Sequence, residues 1–211
     1  MFIDQVIYPI EALGPGKRIG IWVVGCTRAC FGCSNPELWS TEGKIQVPVY
    51  ALLHSIGMIC KENQVDGFTI TGGEPMLQAK ELDELVLGLK QISPDILIFS
   101  GFTYEELANN KETASVLEKV AVLVDGPYID EKNEQLILRG SSNQRILLLD
   151  PKLEHRYVQY LNRDHSEIQN LHFPDMTISV GIHSSGFEKD IAEKLLDRGV
   201  RRTDNGCNEM A

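Results

Sequence analysis

Apolar residues along this chain fall into short β-rich runs that alternate with stretches of helical spacing. Ile19 to Val24 (IGIWVV) lies between GPG and Gly25 and reads as a buried strand leading into a cysteine-bearing loop. From Val49 to Cys60, the residues Val49, Leu52, Leu53, Ile56 and Cys60 recur on one helical face, with Pro48 near the start. Gly67 to Thr71 (GFTIT) predicts a second strand, followed by GGEP and a helix whose Leu82, Leu85, Val86 and Leu89 line up. Ile96 to Ser100, a helix over Tyr104 to Asn109, and the strand Val120 to Val124 continue the alternation. Arg145 to Leu149 and Met176 to Gly181 predict further strands, and Phe187, Ile191 and Leu195 mark a last helix.

Strands alternating with helices imply parallel pairing through right-handed crossovers, hence an α/β class. Periodicity alone does not separate an open sheet from a partial barrel. No repeat, low-complexity segment or linker divides the chain, so residues 1–200 are expected to form one domain. Within it, 176–200 make a strand-helix extension, and 201–211 are expected to be a flexible tail.

Composition narrows the function classes. The 211 residues carry 20 Lys+Arg against 30 Asp+Glu, and a net charge of −10 argues against broad attraction to nucleic acid. No apolar run approaches the roughly 20 residues of a membrane helix, and the N-terminus does not resemble a signal peptide. The expectation is a cytoplasmic protein with neither nucleic acid nor membrane as a partner. Of five cysteines, three lie within eight residues, a spacing that suggests a metal site rather than a secreted disulfide framework.

Cys26, Cys30 and Cys33 form CxxxCxxC, so three thiolates on one loop can converge on one metal centre. That is one short of the usual four for a closed zinc or iron-sulfur site. Either a distant residue completes the set, or one metal keeps an open position for a substrate. Gly72, Gly73, Glu74 and Pro75 follow the predicted strand GFTIT at its C-terminal end, where ligands of parallel α/β folds gather. The glycines permit close backbone approach to a ligand, and Glu74 offers an anion for an ammonium group. By itself GGEP reads equally as a turn.

The cysteine loop and GGEP together resemble the radical S-adenosylmethionine (SAM) superfamily. The resemblance implies that Cys26, Cys30 and Cys33 ligate three irons of one 4Fe-4S cluster. The fourth iron would chelate the amino and carboxylate groups of SAM, and the segment Gly72, Gly73, Glu74 and Pro75 would bind its amino group. A closer likeness covers roughly the first 150 residues. GPGKR (Gly14 to Arg18), CTRACFGCSNPELW (Cys26 to Trp39), FSGFTYEEL (Phe99 to Leu107), and VLVDGPYI with LRGSSNQR (within Val122 to Arg145) are similar to activating proteins of anaerobic ribonucleoside-triphosphate reductases.

That likeness implies an incomplete, partial parallel β/α barrel and reductive cleavage of SAM to methionine and a 5′-deoxyadenosyl radical. It also implies a glycyl-radical enzyme such as anaerobic ribonucleotide reductase as partner, and a low-potential electron donor. Ser100, Asp125, Ser141 and Asn143 become further candidate SAM contacts. Residue chemistry keeps the plainer readings open: Asp125 as a helix cap, and Ser141 to Gln144 as a polar turn. Gly32 stands where many relatives place an aromatic before the third cysteine, and Phe31 comes one step earlier. The segment from Met176 onward extends beyond compact activases, which leaves room for a radical SAM enzyme acting on another peptide or on a small molecule. A non-enzymatic iron-sulfur or zinc protein would leave GGEP and RGSSNQR without a role. Cys60 sits on an apolar helix face and reads as an inert thiol. Of five scattered histidines, only His183, near a strand end, invites inspection.

Overall fold

The computed structural model describes residues 1–174 and 176–197. The expected tail 201–211, with Cys207, lies outside the described residues. Along the chain come β1 (Ile3–Ile10), β2 (Arg18–Val23), α1 (Val49–Glu62), β3 (Gly67–Gly72), α2 (Ala79–Lys90), β4 (Ile96–Phe99), α3 (Tyr104–Ala108) and α4 (Lys111–Leu117). They are followed by β5 (Val122–Asp125), β6 (Arg145–Leu148), α5 (Glu154–Leu161), β7 (Ile168–His172), β8 (Thr177–Gly181) and α6 (Phe187–Asp197).

Six strands form one sheet in the order β1-β2-β3-β4-β5-β6. The four central strands are parallel, with Ile21 beside Ile70, Ile70 beside Ile98 and Leu97 beside Val122. Each crossover between them carries helix, which is what parallel neighbours require. The two outer strands depart from the parallel expectation: β1 is antiparallel to β2, and β6 is antiparallel to β5. β1 reaches β2 through the short turn Glu11–Lys17, too short for a crossover. β1 and β6 do not pair, so the sheet stays open. Among the described residues no helix is long and apolar enough to cross a membrane.

One face of the sheet packs against helices. Ile19, Ile21, Phe68 and Ile70 meet Leu52 and Ile56 of α1 and Leu82, Leu85, Val86 and Leu89 of α2, all buried. Burying each such side chain contributes about 1.5–3 kcal/mol. The opposite face is covered by the later part of the chain. Tyr157 and Tyr160 of α5 pack on Leu97, Val122 and Val124, and Val180 of β8 joins Ile7, Ile10 and Trp22. Arg18, fully buried, holds the lower end of that face through Thr69 Oγ1 (2.8 Å) and the Asp95 carboxylate (3.1 Å). Arg156 and the Tyr157 hydroxyl also engage Asp95, so the buried charges are paired and hydrogen-bonded.

β7 was not expected from the pattern. Its alternation of exposed and half-buried positions, IQNLH, contains only two aliphatic residues. It pairs antiparallel with β8, placing Gln169 beside Val180, and the Gln169 side chain ties the hairpin to Pro9 O (2.9 Å) and Glu11 N (2.9 Å).

Candidate functional site

Because β2 to β5 are parallel, their C-terminal ends (Val23, Gly72, Phe99 and Asp125) lie along the same edge of the sheet. The loops leaving them bring the motifs together. The first bends sharply, with left-handed backbone at Gly25 (φ 103°), Ala29 (φ 45°) and Gly32 (φ 71°). Cys26, Cys30 and Cys33 are free and half-buried on this loop.

A backbone donor faces one of the sulfurs, Asn35 N–H pointing to Cys33 Sγ (3.4 Å), and the Tyr128 backbone favours the Cys30 thiolate. Burial pushes the Cys30 thiol up, and the neighbouring Cys33 and Cys26 sulfurs add to the rise against the opposing Tyr128 hydrogen bond and the Arg28 charge. The sulfurs therefore feel one another. Among the described residues, however, no three His, Cys, Asp or Glu side chains are grouped around a single ion position.

Gly32 has a steric reason. A Cβ there would lie 2.5 Å from Asp130 Oδ1, so the place of an aromatic side chain is taken by a carboxylate. Tyr128 OH (2.7 Å) and Ser185 Oγ (2.9 Å) donate to Asp130, and Phe31 points to solvent, 82% exposed.

The glycines of GGEP serve the protein's own chain. A Cβ on Gly73 would lie 2.5 Å from Gly25 O, and Gly73 N and Glu74 N donate to Val23 O (2.7 Å) and Gly25 O (2.8 Å). The close approach expected toward a ligand is here an approach of two loops, which locks the cysteine loop onto the Glu74 turn. Pro75 opens a short 3-10 turn capped by Glu74.

Glu74 itself is 1% exposed. Its Oε1 accepts from Met76 N (3.0 Å) and Ser100 Oγ (2.9 Å), and its Oε2 accepts from Gly101 N (2.7 Å). A carboxylate offers about four acceptor positions, so one remains, on Oε2. Burial raises the Glu74 pKa, and these hydrogen bonds and Arg28 oppose the rise.

Ser100 thus reaches the site by holding Glu74. Asp125 is placed otherwise: its carboxylate accepts from Tyr104 N (2.6 Å), at the start of α3, and pairs with Arg145 (2.5 Å), which also grips Glu105 (2.7 Å). The N-cap of α3 itself is Thr103, which forms a capping box with Glu106. Ser141 is buried and accepts from Ile129 N (3.2 Å), and Asn143 donates to Pro127 O (2.8 Å). Both brace the loop after β5 from within, and Asn143 Oδ1 is left buried without a partner.

Three residues of the site escaped the sequence reading. Arg28, inside the cysteine motif, donates to Gly101 O, stacks 4.5 Å over the Phe102 ring and lies 3.8 Å from Glu106. Motif spacing registers only the cysteines and treats Arg28 as filler. Tyr128 and Asp130 lie on the loop after β5, three strands along the sheet from β2, and the parallel order of β2 to β5 puts that loop on the same edge as the cysteines.

Residues 12–147 match the 4Fe-4S single cluster domain family. The chain is also similar to proteins named anaerobic ribonucleoside-triphosphate reductase-activating protein. One, from Haemophilus influenzae, is 32% identical over 150 residues, covering 66% of this chain and 93% of that protein. Another, from Escherichia coli K12, is 32% identical over 145 residues, covering 65% and 92%. A third, from Enterobacteria phage T4, is 30% identical over 145 residues, covering 66% and 90%. A motif gains weight when its structural context fits, and here three free thiols share one loop with a backbone donor aimed at Cys33 Sγ. The chain belongs to the 4Fe-4S single cluster domain family and is a relative of the anaerobic ribonucleoside-triphosphate reductase-activating proteins.

Proposed function

We propose that this chain is a radical SAM activase of the glycyl-radical-enzyme activating class, with anaerobic ribonucleoside-triphosphate reductase as its partner. The observation that carries the reading is the junction of the cysteine loop with the buried Glu74 turn, joined backbone to backbone through Gly25 and Glu74 (2.8 Å). Cys26, Cys30 and Cys33 would hold one 4Fe-4S cluster. Their sulfurs sit on one loop without closing on a single-ion position, which suits thiolates that bind separate irons. Asn35 N–H would hydrogen-bond to the Cys33 sulfur and orient it, and the Tyr128 backbone would favour the Cys30 thiolate, tuning the centre.

When bound, the cluster supplies one electron, taken from a low-potential donor, to split SAM into methionine and a 5′-deoxyadenosyl radical that takes a hydrogen atom from a partner glycine. This chain binds, orients and excludes water. Glu74 would offer its remaining acceptor position to the SAM ammonium. Ser100 and Gly101 fix that carboxylate, Arg28 pins the cysteine loop to Gly101 O, and Asp125 with Arg145 anchors α3 beside them. Ser141 and Asn143 would brace the loop that carries Tyr128. In this reading the sheet is the core of an incomplete barrel of the radical SAM type, and the protein works in the cytoplasm without nucleic acid or membrane.

A second reading, a radical SAM enzyme acting on another peptide or a small molecule, draws on the residues beyond 147. They lie outside the family match and yet contribute to the cavity beside Cys33. The deciding experiment is anaerobic reconstitution with iron and sulfide, reduction, and assay of 5′-deoxyadenosine together with the glycyl-radical signal on the reductase. No 5′-deoxyadenosine sinks the radical reading. Its formation without a glycyl radical favours the second substrate class.

A further inference from the structure

A cavity of about 670 Å³ opens between the cysteine loop and the C-terminal hairpin. Trp22, Thr71 and Phe99 line it from the sheet, Cys33 from the loop, and His183 and Phe187 from the segment after β8. Its size falls in the range of ligand sites, about 300–1,000 Å³. The far wall is built from residues outside the family match, which stops at residue 147.

That wall is held in place rather than laid loosely over the opening. Asn133 Nδ2 donates to His183 O (2.9 Å) and to Tyr128 OH (3.1 Å), and Ser185 Oγ donates to Asp130 (2.9 Å), the residue that packs against Gly32. The His183 ring stacks on Phe187 with centroids 4.1 Å apart, and its Nε2 meets Ser179 Oγ at 3.1 Å. The wall is therefore hydrogen-bonded to the loop after β5, whose Asp130 in turn packs against Gly32 of the cysteine loop.

We propose that the segment Ser179–Phe187 is the specificity wall of the hydrogen-donor side of this chamber, that it takes an extended peptide segment, and that His183 is its positioning residue. The inference rests on the radical reading above. Two features favour main chain as the occupant. Ser179 to Ile182 line the cavity, and among the described residues β8 pairs only with β7, so the other edge of β8 offers its main-chain groups to a further strand. Gly186, also on the lining, contributes no side chain, and the space where one would stand is open. The His183 ring closes the end of that edge and would fix the depth at which a target glycine presents its Cα–H.

The test uses the full chain, reconstituted anaerobically, with the anaerobic reductase of the same organism labelled with α-dideuterated glycine as the probe. Deuterium in 5′-deoxyadenosine reads hydrogen transfer from the partner. His183→Ala is expected to keep its iron and sulfide content and its SAM affinity within about twofold of the parent. Deuterium transfer should fall by about tenfold or more, since small misplacement of reacting atoms carries a large rate penalty. His183→Asn should recover part of the transfer. A photo-crosslinking residue in place of Ser184 should attach to the glycine-bearing peptide of the reductase.

Unchanged deuterium transfer in His183→Ala, or a parallel loss of SAM affinity, overturns the assignment. So does crosslinking of position 184 to residues 198–211 of the chain itself, or to nothing. If the parent protein forms no 5′-deoxyadenosine, the radical reading fails and takes this inference with it. Intact transfer in His183→Ala removes this inference alone.

Discussion

Replacing Glu74 separates two duties that the structure assigns to one carboxylate. Glu74→Ala strands the Met76 and Gly101 N–H groups, which now donate at 3.0 and 2.7 Å, while the Ser100 hydroxyl can turn to another partner. At about 1–2 kcal/mol for each stranded donor, the substitution costs about 2–4 kcal/mol. For a domain of this length, that lowers the melting temperature by about 4–16 °C. Glu74→Gln keeps the shape and one acceptor oxygen, so it should melt between the parent and the alanine variant. Both variants lose the charge that would meet the SAM ammonium.

Thermal melts, iron content and SAM titration by calorimetry, all anaerobic, measure the two duties apart. An alanine variant that melts within about 2 °C of the parent would falsify the buried-donor argument. Parental SAM affinity in Glu74→Gln would take the carboxylate out of the SAM site. The pH dependence carries a sign. Burial raises the folded-state pKa above the ordinary 4.5, so the folded protein binds the proton more tightly than the unfolded chain. Stability should fall as pH rises from 4.5 through the raised value and level off above it. SAM affinity should rise over the same window, because the ammonium needs the ionised form.

Further outcomes follow from other parts of the site. Cys26→Ala, Cys30→Ala and Cys33→Ala should each abolish 5′-deoxyadenosine formation, whereas Cys60→Ala retains it; activity in any of the first three removes that residue from the cluster. Gly32→Ala should cost about 1–2 kcal/mol from left-handed backbone alone, plus the displacement of Asp130. Adding Asp130→Ala should relieve the collision but not the backbone cost; equal iron retention in parent, single and double variants refutes the steric account. Val180→Asp places a charge among Ile7, Ile10 and Trp22 and should lower melting temperature, iron content and SAM cleavage together. Selective loss of partner activation at full stability would show that Val180 does not serve the core. Burial holds the His183 imidazole below its ordinary 6.5, so acidification below that value should destabilise the parent as the ring is forced to charge, and His183→Asn should flatten this part of the profile.

Local patterning determined the elements that define this protein. Helical spacing in α1 and α2, and apolar runs in β2 to β5, are set by which face each residue must bury, and burial acts on sequence neighbours at fixed periods. The cysteine motif was equally legible as a pattern, because Cys26, Cys30 and Cys33 lie within one loop and need no distant partner to be noticed. Two strands were not legible: β1 mixes Asp4, Gln5 and Pro9 with its apolar residues, and β7 gains its place only by pairing with β8. The meaning of the glycines in GGEP also waited for tertiary structure, since Gly73 is constrained by Gly25, brought near by the pairing of β2 with β3. The ion pair of Asp125 with Arg145 was likewise hidden, since it forms only because β5 and β6 put the two in register. The same holds for Arg28 with Gly101 and for the wall that sets His183 opposite Cys33. Periodicity records what a residue does to its own element; contacts between elements depend on the order and direction of strands, which only the folded sheet decides.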